Sequence, residues 1–296
     1  RAGLRSMTTI DHVLVGRGPG ETRVALLGAG RLIELHVERT GRESRVGNIY
    51  LGRVEAALQG LDAAFVDLGL DRAGFLALPE VRPAGVEGGS DGIGDYLKEG
   101  DAVLVQVMRD AAEEKGVKLT AHLDIPGVML VFRPGQPGVT ASRRMADAER
   151  ARLLAMADAL APEAGGFIFR TAAAGADRAA IIKEADALVA RWREIEDRKG
   201  AMKVPYLMSA NPGIAVCALR DFGTGARRMI ADDAEILAQL RAFAAAEMPD
   251  LIGRIEAHKG AEPLFEAFRV EEQIDAALTP TVGLPGGGSL IISPTP

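Results

Sequence analysis

Between residues 47 and 78, apolar and polar positions alternate with a period of two, the signature of strands with one covered face. In Ala63-Ala64-Phe65-Val66-Asp67-Leu68-Gly69, the side chains of Ala64, Val66 and Leu68 fall on one face, Phe65 and Asp67 on the other. Ala73-Gly74-Phe75-Leu76-Ala77-Leu78 repeats the pattern, with Leu76 and Leu78 opposite Phe75 and Ala77. The turn Leu68-Gly69-Leu70-Asp71-Arg72 joins the two segments. Together with Gly47–Val54 they suit a small barrel whose aliphatic faces fill the inside, leaving both phenylalanines outside on neighbouring strands.

The remaining pattern is read in the same way. Residues 23–27 and 32–37 around a Gly28-Ala29-Gly30 turn predict a hairpin. A Gly/Pro-rich loop is expected over 83–94, a strand over 103–108, a turn over 112–116 and a strand over 117–123. Strands are expected at 127–132 and 166–169, with a helix from about 146 to 160 between them. From Asp177 the spacing of Ile181, Ile182, Ala185, Leu188, Val189, Trp192 and Ile195 makes one helical stripe. A further helix begins at Asp232 or Asp233, a plausible N-cap, and ends before Pro249; residues 271–278 form a short one. A second hairpin joins 282–284 to 290–292 through Pro285-Gly286-Gly287-Gly288.

The chain of 296 residues is longer than one compact domain usually holds, and 48% hydrophobic residues suffice for more than one core. Aromatic residues make up only 4%, so each exposed one counts. A net charge of -6 excludes a polybasic binder and leaves room only for local basic patches. Cys217, the single cysteine, allows neither an intrachain disulfide nor a zinc site with two thiolates, which fits a reducing cytoplasm. No apolar run approaches a membrane span and no signal-peptide pattern opens the chain, while Met7 offers a translation start.

Three groups could carry chemistry. Phe65 and Phe75 could stack bases of a single-stranded nucleic acid, with Lys115 meeting a phosphate; equally, both rings could be covered by a neighbouring domain. Arg170 and Thr171 end a strand before the small-residue loop Ala172–Gly175. Arg grips phosphate bidentately, Thr adds a hydroxyl, and free loop N–H groups could close a cradle. The alternative pairs Arg170 with a helix acid such as Glu184, and Asp177 at the helix start opposes an anion there. Ser142-Arg143-Arg144 could meet nucleic-acid backbone or be a solvated run. His12, His36, His122 and His258 have no metal spacing. Asp221, Asp232 and Asp233 suggest no metal site, capping explaining the latter two better. No catalytic residue and no metal ligand is picked out.

Taken together the segments resemble the ribonuclease E/G family of bacterial endoribonucleases, from about Thr22 to Ser293. The markers are Asn-Ile-Tyr-x-Gly-Arg-Val at 48–54, Ala-Ala-Phe-Val-Asp at 63–67, Gly-Phe-Leu at 74–76 and Lys-Gly-x-x-Leu-Thr at 115–120. Ser-Arg-Arg at 142–144, Arg-Thr-Ala at 170–172, Arg-Asp at 220–221 and Met-Pro-Asp-Leu at 248–251 follow. Glu-Pro-Leu-Phe at 262–265, Glu-Gln-Ile at 272–274 and Gly-Gly-x-Leu at 287–290 complete the series.

The resemblance implies an α/β (α+β) chain in which an RNase H-like subdomain is interrupted by an OB-fold RNA-binding barrel and a 5′-sensor subdomain. Boundaries follow as 1–44 and 201–280 for the RNase H-like parts, 45–125 for the barrel and 126–200 for the 5′-monophosphate sensor. Residues 281–296 would begin a DNase I-like catalytic subdomain. It further implies RNA contacts at Phe65, Phe75, Lys115, Arg143 and Arg144, and 5′-phosphate contacts at Arg170 and Thr171. The implied activity is Mg2+-dependent cleavage of single-stranded RNA in RNA processing and decay, by a cytoplasmic homo-oligomer; a non-catalytic RNA-binding or regulatory protein is the alternative. The family's magnesium-binding aspartates would fall just beyond Pro296, as would any zinc-linking cysteines, so residues 1–296 are expected to bind RNA without cutting it. Ala121, where the family often has Thr, and the loop 83–94 depart from the pattern.

Overall fold

Val13-Leu14-Val15 and Val24-Ala25-Leu26-Leu27 are buried along both faces, which requires a sheet covered on each side. The computed structural model, which describes residues 9–83, 91–112, 115–160, 165–284 and 286–293, places them in the first two of three successive strands. These are β1 (His12–Gly18), β2 (Glu21–Gly28) and β3 (Arg31–Arg39), an antiparallel run. The chain divides into two compact units, one made of residues up to Glu43 and from Pro212 on, the other of Ser44–Asn211.

The second unit opens with the barrel: β4 (Ile49–Leu58), β5 (Ala63–Asp67), β6 (Gly74–Ala77), then the single-turn helix α1 (Ile93–Tyr96), β7 (Ala102–Arg109) and β8 (Lys118–Thr120). Pairing runs β4-β5-β6-β8-β7 and returns to β4, so five strands close into an OB-like barrel. Val54, Ala64, Val66, Leu68, Leu76, Leu78, Val105, Val107 and Leu119 fill it. Gly116 is required beside it, because a Cβ there would fall 1.9 Å from the carbonyl oxygen of Ala73. Of the expected loop 83–94, residues 84–90 lie outside the described residues, as do Glu113 and Glu114 of the turn before β8.

Next come β9 (Ile125–Pro126), β10 (Leu130–Pro134), β11 (Val139–Ala141), α2 (Asp147–Leu154), β12 (Gly165–Phe169) and α3 (Arg178–Lys199). The sheet order is β11-β12-β10-β9, with β11 and β12 parallel. Its Leu130, Phe132, Phe167 and Phe169 pack on the α3 stripe of Ile181, Ala185, Leu188, Trp192 and Ile195, with Ile182 and Val189 partly buried beside it. The helix expected over 146–160 is shorter: α2 stops at Leu154 and a 3-10 turn follows over Ala157–Leu160. The strand expected at 127–132 starts at Leu130, because residues 127–129 form a turn. The unit ends on β13 (Tyr206–Ser209), an unexpected strand beside β4. There the Asn211 N–H donates to Asn48 Oδ1 (2.6 Å) and its side-chain amide to the Val46 carbonyl (2.7 Å), so the exit is clasped to the entry.

The first unit resumes with α4 (Ile214–Phe222), β14 (Arg228–Ala231), α5 (Ala234–Glu247), β15 (Ile255–Ala257), α6 (Leu264–Ala267) and α7 (Val270–Leu278). β14 joins β1 in parallel and β15 joins β14, giving the order β15-β14-β1-β2-β3. Leu14, Ala25, Leu27, Ile230, Leu264, Phe265 and Val270 share its core. β1, α4, β14 and β15 were not anticipated. The closing hairpin is β16 (Thr281–Gly283) with β17 (Ser289–Ile291), and Pro285 of its turn lies outside the described residues.

Candidate nucleic-acid interface

The barrel alternates as its sequence pattern requires. Ala64, Val66 and Leu76 are fully buried, whereas Phe65 and Phe75 are partly buried on the outside. β5 and β6 pair so that the two phenylalanines stand directly opposite. Their rings meet edge to face, 5.9 Å between centroids at 69°. That is a favoured aromatic geometry, and it fixes the pair before anything binds. Asp67, next outward on β5, accepts the N–H of Gly69 (2.8 Å) and so shapes the turn between the strands.

Lys115 is exposed and bridges back to Ala112 just before β8. The contact of Gly116 with Ala73 holds this turn against the start of the β6 segment, which carries Phe75. Lys115 makes no ion pair among the described residues.

The second candidate group is assembled by a parallel pair. Because β11 and β12 run side by side in one direction, with Ala141 opposite Phe169, their ends deliver Ser142–Arg144 and Arg170–Thr171 to one edge. Ser142 N–H donates to the Phe169 carbonyl (2.8 Å), and Thr171 Oγ1 donates to Ser142 Oγ (3.3 Å). Arg143, Arg144 and Thr171 are exposed and Arg170 is partly buried. The backbone N–H of Arg170 donates to Met129 O, and its guanidinium donates to the carbonyl of Gly127. Glu184 of α3 accepts the N–H groups of Met129 (2.8 Å) and Leu130 (3.0 Å), so both side chains grip the same turn. Glycine at position 127 lets Glu184 close on the turn, since a Cβ there would lie 2.2 Å from Glu184 Oε1 and push the carboxylate away.

The expected cradle of free N–H groups is largely used up within the loop. Ala173, Ala174 and Ala176 donate to carbonyls within the loop, and Gly175 donates to Glu149 Oε1 (2.7 Å). The 3-10 turn over Thr171–Ala173 uses the later N–H groups of the loop, while those of Thr171 and Ala172 open the turn and have no partner within it. Glu149 is itself held by Arg152 (2.6 and 3.0 Å), and these two partners keep its pKa down at about 2. Asp177 caps α3 by accepting from Ala180 N–H (2.7 Å), which puts a carboxylate on that helix end.

Asp233 caps α5 through Ile236 N–H (2.9 Å). Asp232, expected to share that role, instead accepts the N–H of Arg17 (2.9 Å), its strand-end position turning it toward β1. Asp221 pairs with Arg220. His12 pairs with Asp11 and His36 with Glu34; His122 bonds the Pro79 carbonyl and His258 that of Glu262. Among the described residues no group of three or more His, Cys, Asp or Glu side chains could hold a metal ion, and no helix is long and apolar enough to cross a membrane. In the first unit a cavity of about 450 Å³ is lined by Arg228, Arg241, Lys259 and Phe268. Arg228 there is bound to Glu256 and Arg241 to the Ile255 carbonyl.

Residues 124–296 match the model of the ribonuclease E/G family. The chain is 37% identical over 294 residues to ribonuclease G of Escherichia coli (strain K12), covering 96% of this chain and 60% of that protein. Ribonuclease G of Haemophilus influenzae is 34% identical with the same coverage. Ribonuclease E of Escherichia coli (strain K12) is 34% identical over 93% of this chain but only 27% of its own length. The chain thus spans about 60% of the length of the ribonuclease G relatives that it matches.

Proposed function

The chain belongs to the ribonuclease E/G family, and on that premise we propose that it supplies the RNA-engaging part of a single-strand-specific, 5′-monophosphate-sensitive endoribonuclease. Phe65 and Phe75 stack two bases, Lys115 meets a phosphate beside them, and Arg143 and Arg144 hold backbone further along. Arg170 and Thr171 take the 5′-monophosphate. The observation that carries this reading is the preset pair Phe65–Phe75, outside a barrel whose buried interior is aliphatic apart from Tyr50.

For the second site the support is convergence. A guanidinium, a hydroxyl and two exposed arginines come to one edge, with Arg170 oriented by the Gly127 carbonyl. Recognition there rests mainly on side chains, since the amides of residues 173–176 are engaged. In the first unit, the order β15-β14-β1-β2-β3 with β1, β14 and β15 parallel supports the RNase H-like assignment. The subdomain boundaries 1–44, 45–125, 126–200, 201–280 and 281–296 belong to the same proposal, as do a cytoplasmic setting and a homo-oligomeric parent.

The described residues offer no cluster that fits the magnesium ion of the whole enzyme. The contribution proposed for this chain is binding and orientation of RNA. The test is the affinity of the chain for one single-stranded oligoribonucleotide with a 5′-monophosphate or a 5′-hydroxyl. The monophosphate form is expected to bind more tightly. Equal affinities would overturn the sensor, and no binding of either would overturn the whole reading.

A further inference from the structure

The barrel carries more of an RNA path than the two phenylalanines and Lys115. β6 and β8 are parallel neighbours that are not adjacent in sequence, and their register sets Phe75 directly beside Lys118. β8 then sets Lys118 opposite Arg109 on β7. With Phe65 opposite Phe75, one row crosses four strands in the order Phe65, Phe75, Lys118, Arg109. At about 4.8 Å per strand the row is roughly 14 Å long, room for a few nucleotides lying across the strands.

A bulge brings Arg109 into this row. Val107 points into the barrel opposite Leu119, and strict alternation would send Met108 out and Arg109 in. The register slips by one residue after Val107, so Met108 and Arg109 together oppose Lys118 and both are exposed. Bulges of this kind re-aim a side chain at the cost of local pairing. Neither cation is neutralised: Lys118 and Arg109 make no ion pair among the described residues. The adjacent carboxylate of Asp110 is held by Ser44 Oγ (2.7 Å) and the N–H of Arg45 (2.8 Å). Position 118 is also one of the unspecified places in Lys-Gly-x-x-Leu-Thr, so the motif did not point to it.

We infer that Lys118 and Arg109 are the phosphate-binding end of this platform, and that single-stranded RNA crosses the barrel from the stacked phenylalanines over both cations. This rests on the platform reading above. Phosphates leaving two stacked bases meet the cations in succession, whereas Lys115 lies three residues up the chain from Lys118, toward the end of the barrel.

The experiment uses the whole chain and a 5′-hydroxyl decauridylate, which silences any 5′-phosphate contact, with affinity measured across a salt series. Lys118→Met, which keeps the aliphatic stem, and Arg109→Ala should each lower the slope of log K against log salt by about 0.7, and the double variant by about twice that. Lys118→Arg should restore the slope. Phe65→Ala and Phe75→Ala should lose affinity at every salt concentration with the slope unchanged. A double cation variant with the slope and affinity of the parent, alongside weakened phenylalanine variants, would overturn the inference while the platform stands. Phenylalanine variants that bind like the parent would remove the platform, and the row with it.

Discussion

The two proposed RNA sites are built by opposite means. On the barrel, Lys115, Lys118 and Arg109 have no ion pair among the described residues, and the two aromatic rings meet edge to face. At the strand-end site the polar groups are tied in place: Arg170 to Gly127, Thr171 to Ser142, Gly175 to Glu149, Asp177 to Ala180. A surface that must accept any base and a flexible phosphate path gains from cations free to follow the backbone. A site for one terminal group gains from side chains already ordered, because the entropy of fixing them is not charged to binding.

The contrast can be broken at its scaffold first. Gly116→Ala forces a methyl group into the Ala73 carbonyl, and backbone cannot yield as a side-chain tip can. It should destabilise the protein by about 3 kcal/mol, read by urea unfolding. An unchanged midpoint would show that the Lys115 turn is not held against β6.

Phe75→Ala tests the loose site and should cost about 2 kcal/mol of single-stranded RNA affinity, with Phe65→Ala similar. Because both rings are only partly buried, the melting temperature should fall by less than a core truncation would cause; a core-sized loss of stability would instead mark them as packing residues.

Arg170→Lys tests the ordered site. A lysine cannot hold the Gly127 carbonyl and a phosphate in one plane, so the preference for 5′-monophosphate should shrink by about 1.5 kcal/mol. Retention of the full preference would mean that charge alone suffices and that the ordering is incidental.

The smallest effect is expected from Glu149→Gln, which loosens the loop behind Thr171. The folded-state pKa of Glu149 is depressed to about 2, with Arg152 as the first cause and the Gly175 N–H as the second. A depressed acid stabilises the fold above its unfolded value of 4.5, and that contribution disappears as pH falls through about 2. The variant should therefore be slightly less stable than the parent at pH 7 and converge with it near pH 2. A gap that persists at pH 2 would assign the effect to packing.

What could be read from the sequence depended on whether one local pattern determined the outcome. β5, β6 and α3 have a single buried face, and their periodicity located Phe65, Phe75 and the Ile181–Ile195 stripe correctly. β14 and β15 have only four and three residues, too few for a period. α4 starts at Gly213 with φ 89° and no side-chain cap, so nothing announces it. α2 stops without a glycine or proline to mark the break. At the barrel face, Lys118 was hidden because its partner strand is not a sequence neighbour, and Arg109 because the bulge reverses its expected direction. The engaged amides of Ala173–Ala176 were hidden for another reason: an Ala/Gly-rich loop reads as open until its 3-10 turn is seen.

The clasp of Asn211 on Asn48 and Val46 also bears on how the chain can be cut and rejoined. A segment whose last residue is hydrogen-bonded close to its first ones has its two ends side by side and so has the form of a cassette. Residues 44–211 can then be lifted out, or exchanged for the equivalent stretch of a relative, with the Asn48–Asn211 bond as the seam to preserve. Both proposed RNA sites would travel with it.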